Sequence, residues 1–511
     1  SCTPLTHQPL FQDVLRAAGL NPYLFEMANI RNQCSWVHSH DWETATQKAC
    51  QLVRMAVAKA VHLTPQKTVS VPIEHRALVV GGGVSGMAAA LNLAGQGFEV
   101  HLVEKEAELG GNLRRVFTPF PALERRGAVE APQEFLRYLI SQVESQPRIV
   151  VHAQSQVVDF SGFSGNFLTK IEKSDGKREE IRHGVTILAT GGQEYRGPEY
   201  GLGTHPAVMT QLELEEKIAH EPQAVLAWKS VAMILCVGPA EQYCSRICCT
   251  VAIKNAIALK EMNPELQVLL FYKDIRTYGF KERLYTQARQ KGILFIRYTS
   301  DQPPQVLGEN GSQRIVIEAK EPALGQNVRL AFDALVLAMP IVPSETAPEI
   351  SKLFKVPLGS DGFFQEAHVK LRPVDVPTEG VYIAGMAHYP KLVDESIIQA
   401  QAAASRAGRV LSQEAILAGG RVAVVDATKC TACLTCVRIC PFNVPQVKAD
   451  LSGVGGIQGA AYIEPAVCQG CGTCVAECPA QAIQLMYFTD MQILAKISAL
   501  FEAERVQRCL A

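Results

Sequence analysis

The chain of 511 residues balances 49 Lys and Arg against 50 Asp and Glu, a formal charge of −1, so it lacks the basic surplus that binding a nucleic-acid backbone requires. Hydrophobic residues make up 48 % of it, ample for several cores, yet no stretch approaches the ~18 uninterrupted apolar residues of a membrane span. Its 16 cysteines fall far below disulfide-scaffold density and come in clusters, which points to a multidomain protein of a reducing compartment, expected in the cytoplasm, whose cysteines bind something.

Residues 1–75 read as a short mixed segment that ends in a helix near 41–61 and a Pro-containing linker, Thr64 to Pro72. Ser1 is not a methionine, and the segment is expected to be incomplete. Cys2 and Cys34 have two readings: ligands of a further cluster completed upstream of Ser1, or ordinary buried thiols. His7, His38 and His40 read as polar surface or helix-entry residues rather than metal ligands.

From Ala77 the pattern becomes strand (ALVV), Gly-rich turn (GGGVSG), helix, strand (EVHLVE). Gly81-x-Gly83-x-x-Gly86 stands where a dinucleotide fingerprint requires it. The first two glycines allow a tight turn and a close approach to pyrophosphate at a helix N-terminus, and the third lets helix and strand touch. Glu104 ends the second strand 18 residues after Gly86, in place to bind a ribose hydroxyl. Further apolar runs at 185–190, 231–237, 267–272, 293–298, 334–339 and 380–385, several separated by helical patterns, predict parallel sheets of βαβ units, an α/β fold.

Two segments resemble the two-dinucleotide-fold flavoproteins, glutathione and thioredoxin reductases among them: Glu104-Lys105 followed by Leu109-Gly110-Gly111-Asn112, and Ala189-Thr190-Gly191-Gly192. GVYIAG, ending at Gly385, resembles the late FAD segment of that group, with Met386 where an aspartate usually follows. The resemblance implies FAD held by Gly81, Gly83, Gly86, Glu104, Lys105, Gly111, Asn112, Gly191 and Gly385. It also brings Lys391 near the isoalloxazine, where a cation would favour the anionic reduced form; a solvent-exposed lysine is the alternative.

Two absences narrow the function. No cysteine occurs between Cys50 and Cys236, so the redox dithiol of the disulfide reductases is missing from its usual early position. The second βαβ unit also lacks a nicotinamide fingerprint: its strand runs into Gly238-Pro239 and bulky residues, and then Cys236-x7-Cys244-x3-Cys248-Cys249 takes the place of a bare glycine turn. Helical spacing would put Cys244 and Cys248 on one face. The four thiols read either as ligands of a [4Fe–4S] cluster or as buried structural cysteines.

Near the C-terminus, Cys430-x2-Cys433-x2-Cys436-x3-Cys440-Pro is repeated as Cys468-x2-Cys471-x2-Cys474-x3-Cys478-Pro. In such repeats the fourth ligand comes from the other motif. Cys430, Cys433, Cys436 and Cys478 are therefore expected around one [4Fe–4S] cluster, and Cys468, Cys471, Cys474 and Cys440 around the second, in preference to zinc sites or disulfides. Thr489-x-x-Gln492 signals a capping box before an apolar stripe of Ile493, Leu494, Ile497, Leu500 and Phe501, which either packs back on its own chain or docks a partner.

The Cys236–Cys249 block, the segment GGGVSGMAAALNLAGQGFEVHLVEKEAELGGNLR and the segment NPYLFEMANIRNQCSWVH together resemble the A-type iron–sulfur flavoprotein component of heterodisulfide reductase. The resemblance covers essentially the whole chain. It implies a thioredoxin-reductase-like flavoprotein with a C-terminal two-cluster α+β ferredoxin domain. Its parts would be an N-terminal segment (1–75), FAD-binding parts (76–228 and 343–420), a second Rossmann-like domain (229–342), the ferredoxin domain (421–487) and an amphipathic helix (488–511). It implies that Cys236, Cys244, Cys248 and Cys249 ligate a third cluster near FAD, and it departs from some methanogen relatives in lacking a ferredoxin insertion within the flavin domain. It further implies electron bifurcation, and as partners the other heterodisulfide reductase subunits, a hydrogenase or formate dehydrogenase, and ferredoxin, with a homodimer inside the larger complex. Heterodisulfide cleavage itself would fall to a partner. The rivals are an NAD(P)H oxidoreductase like the small subunit of glutamate synthase, a quinone-linked relative, and a relay with a structural flavin.

Overall fold

A computed structural model describes residues 4–119, 124–125, 128–129, 131–238, 243–307, 314–322 and 325–510. The chain forms two compact units: Ile73–Gln413, and the segment before Ile73 together with the segment after Gln413.

The larger unit holds two lobes. In the first, five strands lie parallel in the order Val381–Ile383, Val185–Leu188, Arg76–Val80, Glu99–Val103, Ile149–His152. The inner strands are apolar along their length because both faces are covered, as parallel sheets require. Helices Val84–Gly95 and Val393–Leu411 pack against each other on this sheet, and an antiparallel ribbon, Ser155–Phe163, Asn166–Lys173 and Arg178–His183, contributes Phe167, Ile171 and Ile181 to the core. The second lobe repeats the plan, with parallel strands ordered Val208–Thr210, Ala334–Leu337, Ser230–Ile234, Gln267–Tyr272, Leu294–Arg297. It begins upstream of residue 229 because Val208–Thr210 is an edge strand of three residues, too short for a readable period. The chain enters this lobe through Gly192–Glu194 and leaves it through Ile341–Pro343, and the two crossings pair antiparallel.

In the smaller unit Trp42–Ala60, close to the predicted helix, starts at Asp41, whose carboxylate accepts the Thr44 amide. It packs along Asp490–Leu510. Lys59 is buried there against Glu26 at 2.7 Å, with its ammonium 4.0 Å from the centre of the Tyr487 ring. The last helix turns Gln492 and Ala499 inward, while Ile493, Leu494, Ile497 and Phe501 stay exposed, so the apolar stripe is not the face that packs back on the chain. Ala415–Gly419, placed by the sequence with the flavin parts, pairs with Thr68–Pro72 in this unit instead. Two short antiparallel pairs carry the cysteine repeats: Ala423–Val425 with Ile483–Leu485, and Pro445–Ser452 with Gln458–Ile463. Among the described residues no helix is long and apolar enough to cross a membrane.

Candidate functional site

In the first lobe the fingerprint glycines do separate jobs. Gly81 has φ +110°, and a Cβ there would collide with the Ala189 carbonyl. A Cβ on Gly86 would overlap Gly81 O, so this residue brings helix and strand into contact. Gly83 caps the helix, and among the described residues the only atom near its absent Cβ is Gly111 Cα at 4.0 Å, which leaves the helix N-terminus bare for an anion. Glu104, 7 % exposed, accepts the Gly82 amide at 2.6 Å and the Glu106 amide at 2.8 Å, tying the second strand to the turn.

These groups border a cavity of about 790 Å³ lined by Gly81, Gly83, Glu104, Lys105, Gly111, Asn112, Gly191 and Lys391. Asn112 Nδ2 donates to Gly192 O at 2.8 Å across it. The Thr190 hydroxyl, buried in its wall, has no hydrogen-bond partner among the described residues, as expected of a group that a ligand satisfies. Of the predicted cofactor residues, Gly86 and Gly385 stand behind the lining: the Gly385 amide donates to Gln399 at 2.9 Å and its carbonyl accepts from Lys391. A bare helix start, a buried carboxylate and an orphaned hydroxyl in a cavity this size fit a dinucleotide.

Lys391 is 4 % exposed, so the exposed-lysine alternative does not hold. Its Nζ donates to the carbonyls of Gly385 and Tyr389 and lies 3.3 Å from the centre of the Tyr389 ring. Burial, and then the Arg246 cation, pull its pKa down to about 7.

The second lobe brings the four cysteines of the central block together. Cys236, at φ +61°, follows the strand Ser230–Ile234; Cys248 and Cys249 open the helix Cys248–Met262. Cys244 does not share a helical face with Cys248, because the helix starts only at Cys248; the loop before it, not helical periodicity, brings Cys244 in. Burial and the neighbouring Cys249 and Cys244 push the Cys236 thiol up. A hydrogen bond with Cys249, burial and the other thiols push Cys248 up as well. Cys249, at the other end of that hydrogen bond, is pulled down to about 7, so the helix start holds one ready thiolate beside thiols that keep their protons until a cationic centre draws them in. Backbone amides at Lys273, Asp274 and Arg276 already face this group. Cys248 also lines the cavity, so cysteine block and cavity share a wall. Pro239 and residues 240–242, part of the case against a nicotinamide site, lie outside the described residues.

In the smaller unit Cys436 feels the charges of Cys430, Cys433 and Cys478, and those four line one small cavity. Cys474 feels Cys468 and Cys471 first, then Cys436 and Cys440, and its burial pushes it up to about 12. Amides point at the sulfurs in matched pairs: Val444 N to Cys440 at 3.5 Å and Ala482 N to Cys478 at 3.3 Å, Ala461 N to Cys430 and Ala423 N to Cys468 both at 3.4 Å. Cys34 is buried, and Cys2 lies outside the described residues. His38 meets Lys48 at 3.3 Å, and His40 is exposed.

Sequence reasoning passed over Thr190, within a quoted motif but given no role, and Arg246, inside the cysteine block. It also passed over the buried pair Lys254 and Glu215, since Glu215 sits in the charged run Glu213–Lys217, which reads as a solvated helix face.

A dinucleotide-type α/β body with a cysteine-lined centre, in one chain with a two-repeat ferredoxin module, defines an iron–sulfur flavoprotein oxidoreductase. Residues 79–127 match the NAD(P)-binding Rossmann-like domain and residues 429–482 the 4Fe-4S dicluster domain. The chain is 33 % identical to the second A-type iron-sulfur subunit of CoB–CoM heterodisulfide reductase from Methanopyrus kandleri, over 87 % of this chain and 80 % of that one. It is also 33 % identical to the A-type subunit of the H2:CoB-CoM heterodisulfide,ferredoxin reductase of Methanothermobacter thermautotrophicus, over 98 % and 87 %. The chain belongs to the family of A-type heterodisulfide reductase subunits. Among solved structures, thioredoxin reductase of T. acidophilum aligns over 66 % of this chain and 100 % of its own, at 14 % identity and a TM-score of 0.47.

Proposed function

We propose that this chain is the flavin- and cluster-bearing electron-transfer subunit of a heterodisulfide-reductase-type complex, and that it splits the electron pair of a two-electron donor between a high- and a low-potential acceptor. The observation that carries this reading is the shared wall: Cys248 belongs both to the four-cysteine block and to the lining of the dinucleotide cavity. Gly81, Gly83, Glu104, Lys105, Gly111, Asn112 and Gly191 would hold FAD, with Gly86 and Gly385 shaping the backbone behind it. When bound, FAD supplies the exchange between two-electron and one-electron chemistry. Cys236, Cys244, Cys248 and Cys249 would hold a third [4Fe–4S] cluster in addition to the two of the ferredoxin module. Lys391 holds a proton at Nζ below about pH 7 and carries that charge into the cavity wall; above it Lys391 is neutral.

The Methanothermobacter relative is named for H2, the heterodisulfide and ferredoxin. Carried here, that name suggests hydrogen as the source of electrons, ferredoxin as one acceptor and the other reductase components as the site of disulfide cleavage; the sequence resemblance adds a hydrogenase or formate dehydrogenase as the donor and two copies of this chain per complex. An NAD(P)H-driven reaction is disfavoured because Cys248 and Cys249 occupy the helix start where a second pyrophosphate would sit.

Anaerobic purification with iron and flavin quantification, followed by EPR through a redox titration, tests the proposal. About twelve irons and one FAD per chain are expected from three [4Fe–4S] clusters. A count near eight, or rapid bleaching of the flavin by NAD(P)H in the isolated chain, overturns it.

A further inference from the structure

Two crossings of the chain, Gly192–Glu194 and Ile341–Pro343, join the lobes of the larger unit, and half-exposed pairs such as Arg115–Glu216, Lys281–Asp394 and Tyr278–Glu395 bridge them near the surface. Between them lies one polar network that is fully buried. Lys254, on the cysteine-bearing helix and 4 % exposed, reaches Glu215 and the Thr118 hydroxyl, and Asn255 Oδ1 at 2.9 Å. Glu215, fully buried on the neighbouring helix Gln211–His220, accepts the amides of Phe117 at 2.7 Å and Thr118 at 2.9 Å. The Thr118 hydroxyl donates to Asn255 at 2.9 Å, and Asn255 donates to Gln211 at 2.9 Å. Phe117 and Thr118 belong to the first lobe; the other partners belong to the second. Both charges line the cavity, and Lys254 sits about 9 Å along the helix from Cys248 at 1.5 Å per residue.

Such a pair is a poor source of stability, since desolvation offsets most of its attraction; its best-attested use is to select one packing register. We propose that Lys254 and Glu215 are positioning residues that lock the cysteine-bearing helix at one setting against the dinucleotide cavity, so that the two lobes act as one body instead of swinging about the two crossings. The consequence, a constant separation between the cysteine block and the cavity, rests on the function proposed above; the lock itself does not.

Hydrogen–deuterium exchange on the full chain tests it. Removing one partner leaves a buried charge alone and risks the fold, so Lys254→Met is paired with the double variant Lys254→Met/Glu215→Leu, which removes both. The readout is taken where Ile247 of the cysteine loop packs on Leu392 across the lobes, on preparations of equal FAD content because both segments line the same cavity as the pair. Residues 247–251 and 392–396 are expected to exchange at least tenfold faster in the double variant, while the core strands Arg76–Val80 and Ser230–Ile234 keep wild-type protection. Unchanged exchange at 247–251 and 392–396 overturns the proposal, and so does equal loss of protection in the core strands, the mark of a merely structural pair. Iron counts on the same preparations keep the two readings apart: eight irons in the wild type would remove the third cluster and leave the exchange result standing.

Discussion

Lys391 shows what one buried cation does to a site and to the fold that carries it. Its pKa near 7 lies well below the ordinary lysine value of about 10.4. Between those values the unfolded chain binds a proton that the folded chain does not, so stability rises with pH there, by at most about 1.4 kcal/mol per unit. Below pH 7 both states are protonated, and the cost of the buried charge is constant. Urea midpoints from pH 6 to 9 should therefore climb more steeply for the wild type than for Lys391→Met, and parallel curves would show that the lysine titrates normally. The fingerprint glycines and Glu104 were legible in the sequence because their roles follow from fixed offsets along one strand, turn and helix. The burial of Lys391 was not, because it depends on Tyr389, Arg246 and a cavity wall drawn from several segments.

At the scale of elements, the two cysteine loops are a matched pair built from different residues. In each, the residues two and four places after the first cysteine are left-handed: Gly470 and Gly472 in the second loop, Ala432 and Leu434 in the first. An L-residue in that conformation costs roughly 1–2 kcal/mol that glycine does not. A Cβ on Gly472 would meet only Leu485 Cδ2 at 3.5 Å, an ordinary contact, so substitution there isolates the backbone cost. Gly472→Ala should lower the apparent anaerobic melting temperature of the smaller unit by an amount equivalent to about 1 kcal/mol, and Leu434→Gly should raise it by somewhat less, since glycine gains entropy when unfolded. That Cys478 lies with Cys430, Cys433 and Cys436 was legible because the repeat spacing fixes it. The route of Cys244 into the central block was not, since nothing in Cys-x3-Cys-Cys announces that the helix waits until Cys248. Strands of three residues, such as Val208–Thr210, carry too little pattern to mark where a lobe begins.

For the whole molecule, the cysteines divide between two units with separate cores. Cys248 and Cys249 pack among Leu235, Ile253 and Val336, whereas Cys430, Cys436 and Cys474 pack among Ala423, Val444 and Ile483. Among the described residues none belongs to both cores, and effects at sites that share no partners add. Cys248→Ser and Cys430→Ser in the full chain should each remove about four irons, the content of one cubane. The double variant should remove about eight, with the cluster of Cys468, Cys471, Cys474 and Cys440 left behind. FAD content should hold in Cys430→Ser, because that residue belongs to the unit that contributes nothing to the cavity lining, and should fall only modestly in Cys248→Ser, which touches the cavity at one edge. A single substitution that strips iron from both units would mean that the clusters assemble as one cooperative set, and the two-unit description would then fail as an account of how the cofactors are held.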